Sequence, residues 1–260
     1  MEDTAKILKV AIEAAKESGE YMLGHIGKLK EVSRKRGFND LVTDVDKASE
    51  KIIIDSVRKA FPSHSILAEE SGEHDAQSEV KWVIDPLDGT TNYAHTFPSF
   101  CVSIGVVMGD SVKVGVVYDP TRDELFSSQS GKGAFLNDTP IKVSKVLSVQ
   151  ESLVATGFGY DVNDKLANVD HFKTMLIKAQ AVRRPGSAAL DLCYVAAGRL
   201  DGFWELGLSP WDTAAGQFLV KEAGGVITTM EGGPFDIYMK GIVATNGTIH
   251  EEMLDLLRAS

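Results

Sequence analysis

The chain has 260 residues, 43% of them hydrophobic and 25% charged, which suits one large globular domain or two fused halves and excludes a low-complexity or membrane-spanning chain. The formal net charge is −10, from 37 acidic and 27 basic residues. That balance argues against bulk nucleic-acid binding, and it means that an acidic pocket facing an anionic substrate needs metal cations to reverse its sign.

In chain order, MEDTAKILKVAIEAAKESGEYM is not a signal peptide: it has early acidic residues and no continuous apolar segment. Ile7, Leu8, Val10, Ala11, Ala14 and Ala15, then Met22, Leu23 and Ile26, repeat at helical spacing and predict an amphipathic first helix. The polar, basic stretch 24–40 reads as a mobile loop or short hairpin. A second helix is predicted over 43–61, with Thr43 or Asp44 as cap and Pro62 as stop. SILAEE (65–70) and KWVID (81–85) read as strands, and Gly109-Asp110 as the turn of a hairpin within 100–120. ELFSSQ and GAFLND suggest a further hairpin, so the first half reads as two helices against a mostly antiparallel sheet.

Strands and helices then alternate. Strands are predicted at 152–156, 181–184, 200–205, 225–229 and 242–246, with helices near 164–179, 187–198, 212–223 and 248–258. That pattern suggests a more parallel α/β unit. The expected division is an N-terminal α+β half, 1–146, and a C-terminal α/β half, 147–260. Cys101 and Cys193 have no CxxC partner and read as buried thiols of a soluble, cytoplasmic protein.

The chemistry concentrates at WVIDPLDGTTN (82–92). Pro86 cannot donate to a ladder and is expected to end the strand. Asp85 and Asp88 repel each other when ionised unless a cation lies between them, and a hard divalent ion with oxygen ligands answers that. Gly89 allows close backbone approach, and the amides of Gly89, Thr90 and Thr91 read as a helix start that favours phosphate. The plain alternative is a turn aspartate plus a helix cap. Glu69-Glu70 reads alone as a solvated strand end, but its closeness in sequence makes a shared site plausible. Asp212 in SPWDTAAGQ stands evenly between N-cap and ligand, and the roles can coincide. In LVTDVD, capping accounts for two of Thr43, Asp44 and Asp46. RRPGSAAL (183–190) is either an ordinary cap or a substrate-facing loop with cationic reach. P-loop, zinc and GxSxG patterns are absent from the sequence.

AEES, WVIDPLDGTTN, GSAALDL and SPWDTAAG, in this order and spacing, resemble the inositol monophosphatase family of magnesium-dependent, lithium-sensitive phosphatases, nearest to bacterial members. The resemblance implies an αβαβα layered sandwich of mixed α+β and α/β character, a homodimer, and two to three Mg²⁺ ions per site. It maps one ion to Glu69, Asp85 and the Leu87 carbonyl, a second to Asp85, Asp88 and Asp212, and a weaker third to Glu69. It implies that Thr90, supported by Asp46, orients the attacking water and that the amides of Gly89 and Thr90 hold the phosphate. Gly186, Ser187, Ala188 and Glu205, with Asp88, would face the substrate's hydroxyls, and Lys35 matches the basic position of a closing loop. Arg184, beside Arg183, departs from the family pattern and would suit a second phosphate or a neighbouring subunit.

The implied reaction is hydrolysis of myo-inositol 1-phosphate by metal-activated water. Fructose-1,6-bisphosphatase activity, alone or dual, and a 3′-phosphonucleotide or NADP phosphatase are the alternative chemistries. A regulatory interaction protein on the same fold is the alternative of another class. The expected partner is a small phosphorylated substrate, with no membrane and no nucleic acid.

Overall fold

A computed structural model describes residues 3–29, 32–34, 41–159 and 161–260. The first helix, α1 (Thr4–His25), begins where the Asp3 side chain accepts hydrogen bonds from the amides of Ala5 and Lys6. Its buried face is Ile7, Ala11, Ala14, Ala15, Ser18 and Met22, the expected spacing of three and four. β1 (Val32–Arg34) pairs antiparallel with β2 (Leu41–Thr43), and residues 35–40 of the basic stretch lie outside the described residues. Lys35 lies outside the described residues. α2 (Asp44–Ala60) is capped by Thr43 as expected.

The large sheet contains β3 (Ser65–Ala68), β4 (Gly72–His74), β5 (Val80–Asp88), β6 (Cys101–Met108), β7 (Ser111–Asp119), β8 (Glu124–Gln129), β9 (Ala134–Leu136) and β10 (Thr139–Ile141). Its order is β10-β9-β8-β7-β6-β5-β3-β4, parallel at β3–β5 and otherwise antiparallel. The edge strands β4 and β10 escape sequence reading because Gly72–His74 has no apolar residue and Pro140 interrupts Thr139–Ile141. The short α3 (Thr90–Ala94) follows β5.

The second sheet contains β11 (Leu153–Thr156), β12 (Ala181–Arg183), β13 (Gly202–Leu206), β14 (Val226–Thr228) and β15 (Gly241–Thr245). Its order is β12-β11-β13-β15-β14. The pairs β12–β11 and β11–β13 are parallel, and β15 runs antiparallel to both of its neighbours, β13 and β14, so this sheet is mixed but more parallel than the first, as expected. Its helices are α4 (Val162–Lys178), α5 (Ala188–Ala196), α6 (Pro210–Glu222) and α7 (His250–Arg258).

Successive strand residues face opposite ways, and the cores follow that alternation. Ile104 and Val116 of the large sheet pack with α1 and α2. Val117 and Phe126, on the other face, pack with α5, α6 and the second sheet's Phe203. Trp204 then turns outward to Met175 of α4 and Met253 of α7. The layers are therefore helix, sheet, helix, sheet, helix, as the resemblance implied. α6 sits directly on the large sheet, because a Cβ at Gly105 would come within 2.6 Å of the Ala214 Cβ. Both cysteines are buried free thiols in the core between the sheets. Among the described residues, no helix is long and apolar enough to cross a membrane.

Candidate active site

Pro86 does not end the ladder. Asp85 pairs with Ser103 and Asp88 with Cys101, so three steps on β5 oppose two on β6, which is a bulge. In a regular strand, positions three apart face opposite sides. Here the extra residue reverses the parity: Ile84 and Leu87 both enter the core under α1 and α2. Asp85 and Asp88 are thereby turned together toward a cleft of about 1140 Å³ that both of them line.

Asp85 is 2% exposed, and its Oδ1 accepts from the Leu87 amide at 3.0 Å. Burial pushes its carboxyl well above the usual range, and the charges of Glu69, Asp88 and Asp212 push it further. Those residues come from the ends of β3 and β5 and the start of α6. Asp88 is raised to about 6, chiefly by burial. Its Oδ2 is held by the Ser187 hydroxyl at 2.6 Å and the Ala189 amide at 2.8 Å, both of which favour the ionised form.

Asp212 is not the helix cap. Ser209 is, and Asp212 is the third helical residue, its Oδ2 accepting from the Ser209 amide at 2.7 Å. Ser103, the strand partner of Asp85, donates its hydroxyl to the Trp211 carbonyl at 3.2 Å, which fastens this helix start to β6. The arrangement repeats at α2. Asp46, fully buried, accepts at Oδ2 from the Thr43 amide at 2.9 Å and at Oδ1 from the Thr90 hydroxyl at 3.0 Å. Burial raises its carboxyl, while the bonds from Thr43 and Thr90 pull it down. Thr90 also lies 3.1 Å from the Leu87 carbonyl.

Glu69 continues β3 by giving its amide to the Ile84 carbonyl at 3.1 Å, and it lines the cleft. The next amide, that of Glu70, goes to the buried Glu50 carboxylate of α2 at 2.8 Å, a support that sequence reading missed. Gly89 has φ +94°, and a Cβ there would meet the Ser99 carbonyl at 2.8 Å, so both conformation and space require glycine. Glu205 lines the cleft against Gly157. Burial first, then Asp212 and Asp88, raise its carboxyl well above the ordinary value, and Arg184 opposes them. Gly186, Ala188 and Arg184 line the cleft as well. Ser187 is 1% exposed, and its hydroxyl is spent on Asp88. Asn92 was also missed: it lines the cleft, and its amide reaches the loop before α5. Its place inside WVIDPLDGTTN was the available signal, but its partners lie too far along the chain to be inferred.

Among the described residues, no three His, Cys, Asp or Glu side chains form a closed metal cage as they stand. The donor chemistry nevertheless suits a hard divalent cation. Oxygen donors crowd one end of the cleft, and a buried carboxylate repelled by three others is costly without positive charge.

The profile of the Inositol monophosphatase family matches residues 3–260. An inositol-1-monophosphatase from Synechocystis sp. is 46% identical over 255 residues, covering 97% of this chain and 89% of the relative. Nus factor SuhB from Escherichia coli is 44% identical over 255 residues, covering 97% and 96%. The solved inositol monophosphatase from Anabaena (Nostoc) sp. superposes with a TM-score of 0.90 at 45% identity, covering 98% of this chain and 96% of that one. With the layered fold and the acidic cleft, a match that runs through both halves leads to one conclusion: the chain belongs to the inositol monophosphatase family and is a phosphatase.

Proposed function

We propose that this phosphatase hydrolyses myo-inositol 1-phosphate to inositol and phosphate, with Mg²⁺ as its metal. The observation that carries this reading is Asp85, buried and ringed by the charges of Glu69, Asp88 and Asp212. Glu69, Asp85 and the Leu87 carbonyl would hold one ion, and Asp85, Asp88 and Asp212 another. Glu69 would also serve a third, weaker ion. Bound there, Mg²⁺ supplies positive charge to the phosphate oxygens and makes water reactive near neutral pH.

The chain's own residues do the rest. Thr90 has one hydroxyl hydrogen, and giving it to Asp46 leaves an oxygen lone pair that accepts from the attacking water and orients it. The Gly89 and Thr90 amides receive the phosphate. Glu205, Gly186, Ala188 and Asp88 read the ring hydroxyls. Ser187 acts one step back, by steadying Asp88. Lys35 is assigned to closing the cleft. The halves 1–146 and 147–260 both contribute, and the working form is a cytoplasmic homodimer.

Two other readings have specific support. Arg184 lines the cleft and favours a substrate with a second phosphate. The relatives named Nus factor SuhB favour a regulatory role on the same fold. Measuring kcat/KM for myo-inositol 1-phosphate, fructose 1,6-bisphosphate and a 3′-phosphonucleotide with Mg²⁺ separates these readings. The inositol ester should lead. A lead for the bisphosphate that Arg184→Ala abolishes would replace it, and an inert protein in saturating Mg²⁺ would favour the regulatory role.

A further inference from the structure

We propose that Asn92 is a positioning residue that fixes the spacing between the phosphate end of the cleft and the end that reads the substrate's hydroxyls. Its Nδ2 lies 2.7 Å from the Ser99 carbonyl, 2.8 Å from the Pro185 carbonyl and 3.3 Å from the Gly186 carbonyl. A carboxamide nitrogen has two hydrogens, and the two short contacts use them. All three neighbours are acceptors, so only the NH₂ side of the amide fits here. The Ser99 bond is local. The bond to Pro185 spans 93 positions and joins the segment after Gly89 to the loop before α5.

The loop is shaped around this amide. Gly186 has φ +88°, and a Cβ on it would stand 3.2 Å from the Asn92 Nδ2. The same two segments meet at a second point, where Asp88 accepts from Ser187 and Ala189. With Asp88 assigned to metal and substrate, Asn92 is the fastening that has no chemistry of its own to perform. It sets how far Gly186 and Ala188 stand from Gly89 and Thr90, and hence what length of substrate spans the cleft. The kinetic part of this inference rests on the proposed function; the tie itself does not.

The test compares the full chain with Asn92→Ala and with the isosteric Asn92→Asp, which faces the three carbonyls with oxygens in place of the amide donor. Hydrogen exchange of the Ala189 and Leu190 amides should accelerate about tenfold or more in both variants. KM for myo-inositol 1-phosphate should rise about tenfold, with kcat and the inhibition constant of inorganic phosphate within about twofold of wild type. Asn92→Asp should be at least as impaired as Asn92→Ala. Unchanged exchange overturns the tie, and a variant that fails to fold is replaced by Asn92→Ser, read by the same exchange and KM split. Faster exchange without the KM split, or KM, kcat and phosphate inhibition worsening together, overturns the spacing role. A wild type inert toward the ester would count against the proposed function alone and leave exchange to decide the tie.

Discussion

The Thr90 hydroxyl donates to Asp46 Oδ1 at 3.0 Å across 44 positions of sequence, tying the segment after β5 to the first turn of α2. Asp46 is itself fixed by the Thr43 amide. Thr90 therefore presents a lone pair in a set direction. Thr90→Ala should lower kcat by about 10²-fold with KM near wild type, and Thr90→Ser should recover most of the loss. Steady-state kinetics on the proposed substrate check this; a rise in KM alone would move Thr90 from orienting water to binding.

Asp85→Asn separates chemistry from folding. Asn keeps an oxygen for the Leu87 amide but removes a charge that burial and three neighbouring acids oppose. Turnover should fall to background. In metal-free buffer at pH 7 the variant should melt at or above the wild-type temperature, and Mg²⁺ should no longer raise it. A lower metal-free melting temperature would contradict the electrostatic account of this ring.

Asp88 sets a pH dependence. Its carboxyl is raised from 3.8 to about 6, so within that window the folded protein keeps a proton that the unfolded chain releases. Stability from this group is therefore fully present below the ordinary value and is lost as pH rises through about 6. Metal-free protein should lose on the order of 1 kcal/mol from this group between pH 5 and pH 7. Denaturant titrations at the two pH values, with Asp88→Asn as reference, check it: the variant should show the smaller loss.

Asp212→Asn tests whether one side chain has two roles. Asn can still accept from the Ser209 amide, so the helix start should lose less than about 1 kcal/mol. The Mg²⁺ concentration for half-maximal activity should rise tenfold or more, on the order of 1.4 kcal/mol. A large melting-temperature loss with unchanged Mg²⁺ dependence would mark Asp212 as a helix-start residue only.

Local signals were readable and distant ones were not. The Thr43 cap, the Gly109-Asp110 turn and the helical spacing of α1 each need only neighbouring residues, and each stands where expected. The layered sandwich followed from the motif resemblance rather than from strand patterns, which gave only that the second sheet is the more parallel of the two, as it is. The bulge at Pro86-Leu87 was read as a strand end, because a missing amide donor looks the same in both cases. Capping competed with ligation at Asp46 and Asp212, and the folded helix starts place both as third helical residues bonded back to the cap amide. Ser187 read as facing the substrate, but it is turned inward to Asp88, which no spacing rule reveals. Glu50 gave no signal and Asn92 only its place inside WVIDPLDGTTN, since each matters through a backbone group 20 or 93 positions away.

The most direct test is release of phosphate from myo-inositol 1-phosphate by the purified chain, first stripped with EDTA and then titrated with Mg²⁺. The account predicts no release in the stripped protein and full recovery with Mg²⁺. Release that persists without metal, or none at saturating Mg²⁺, would contradict it.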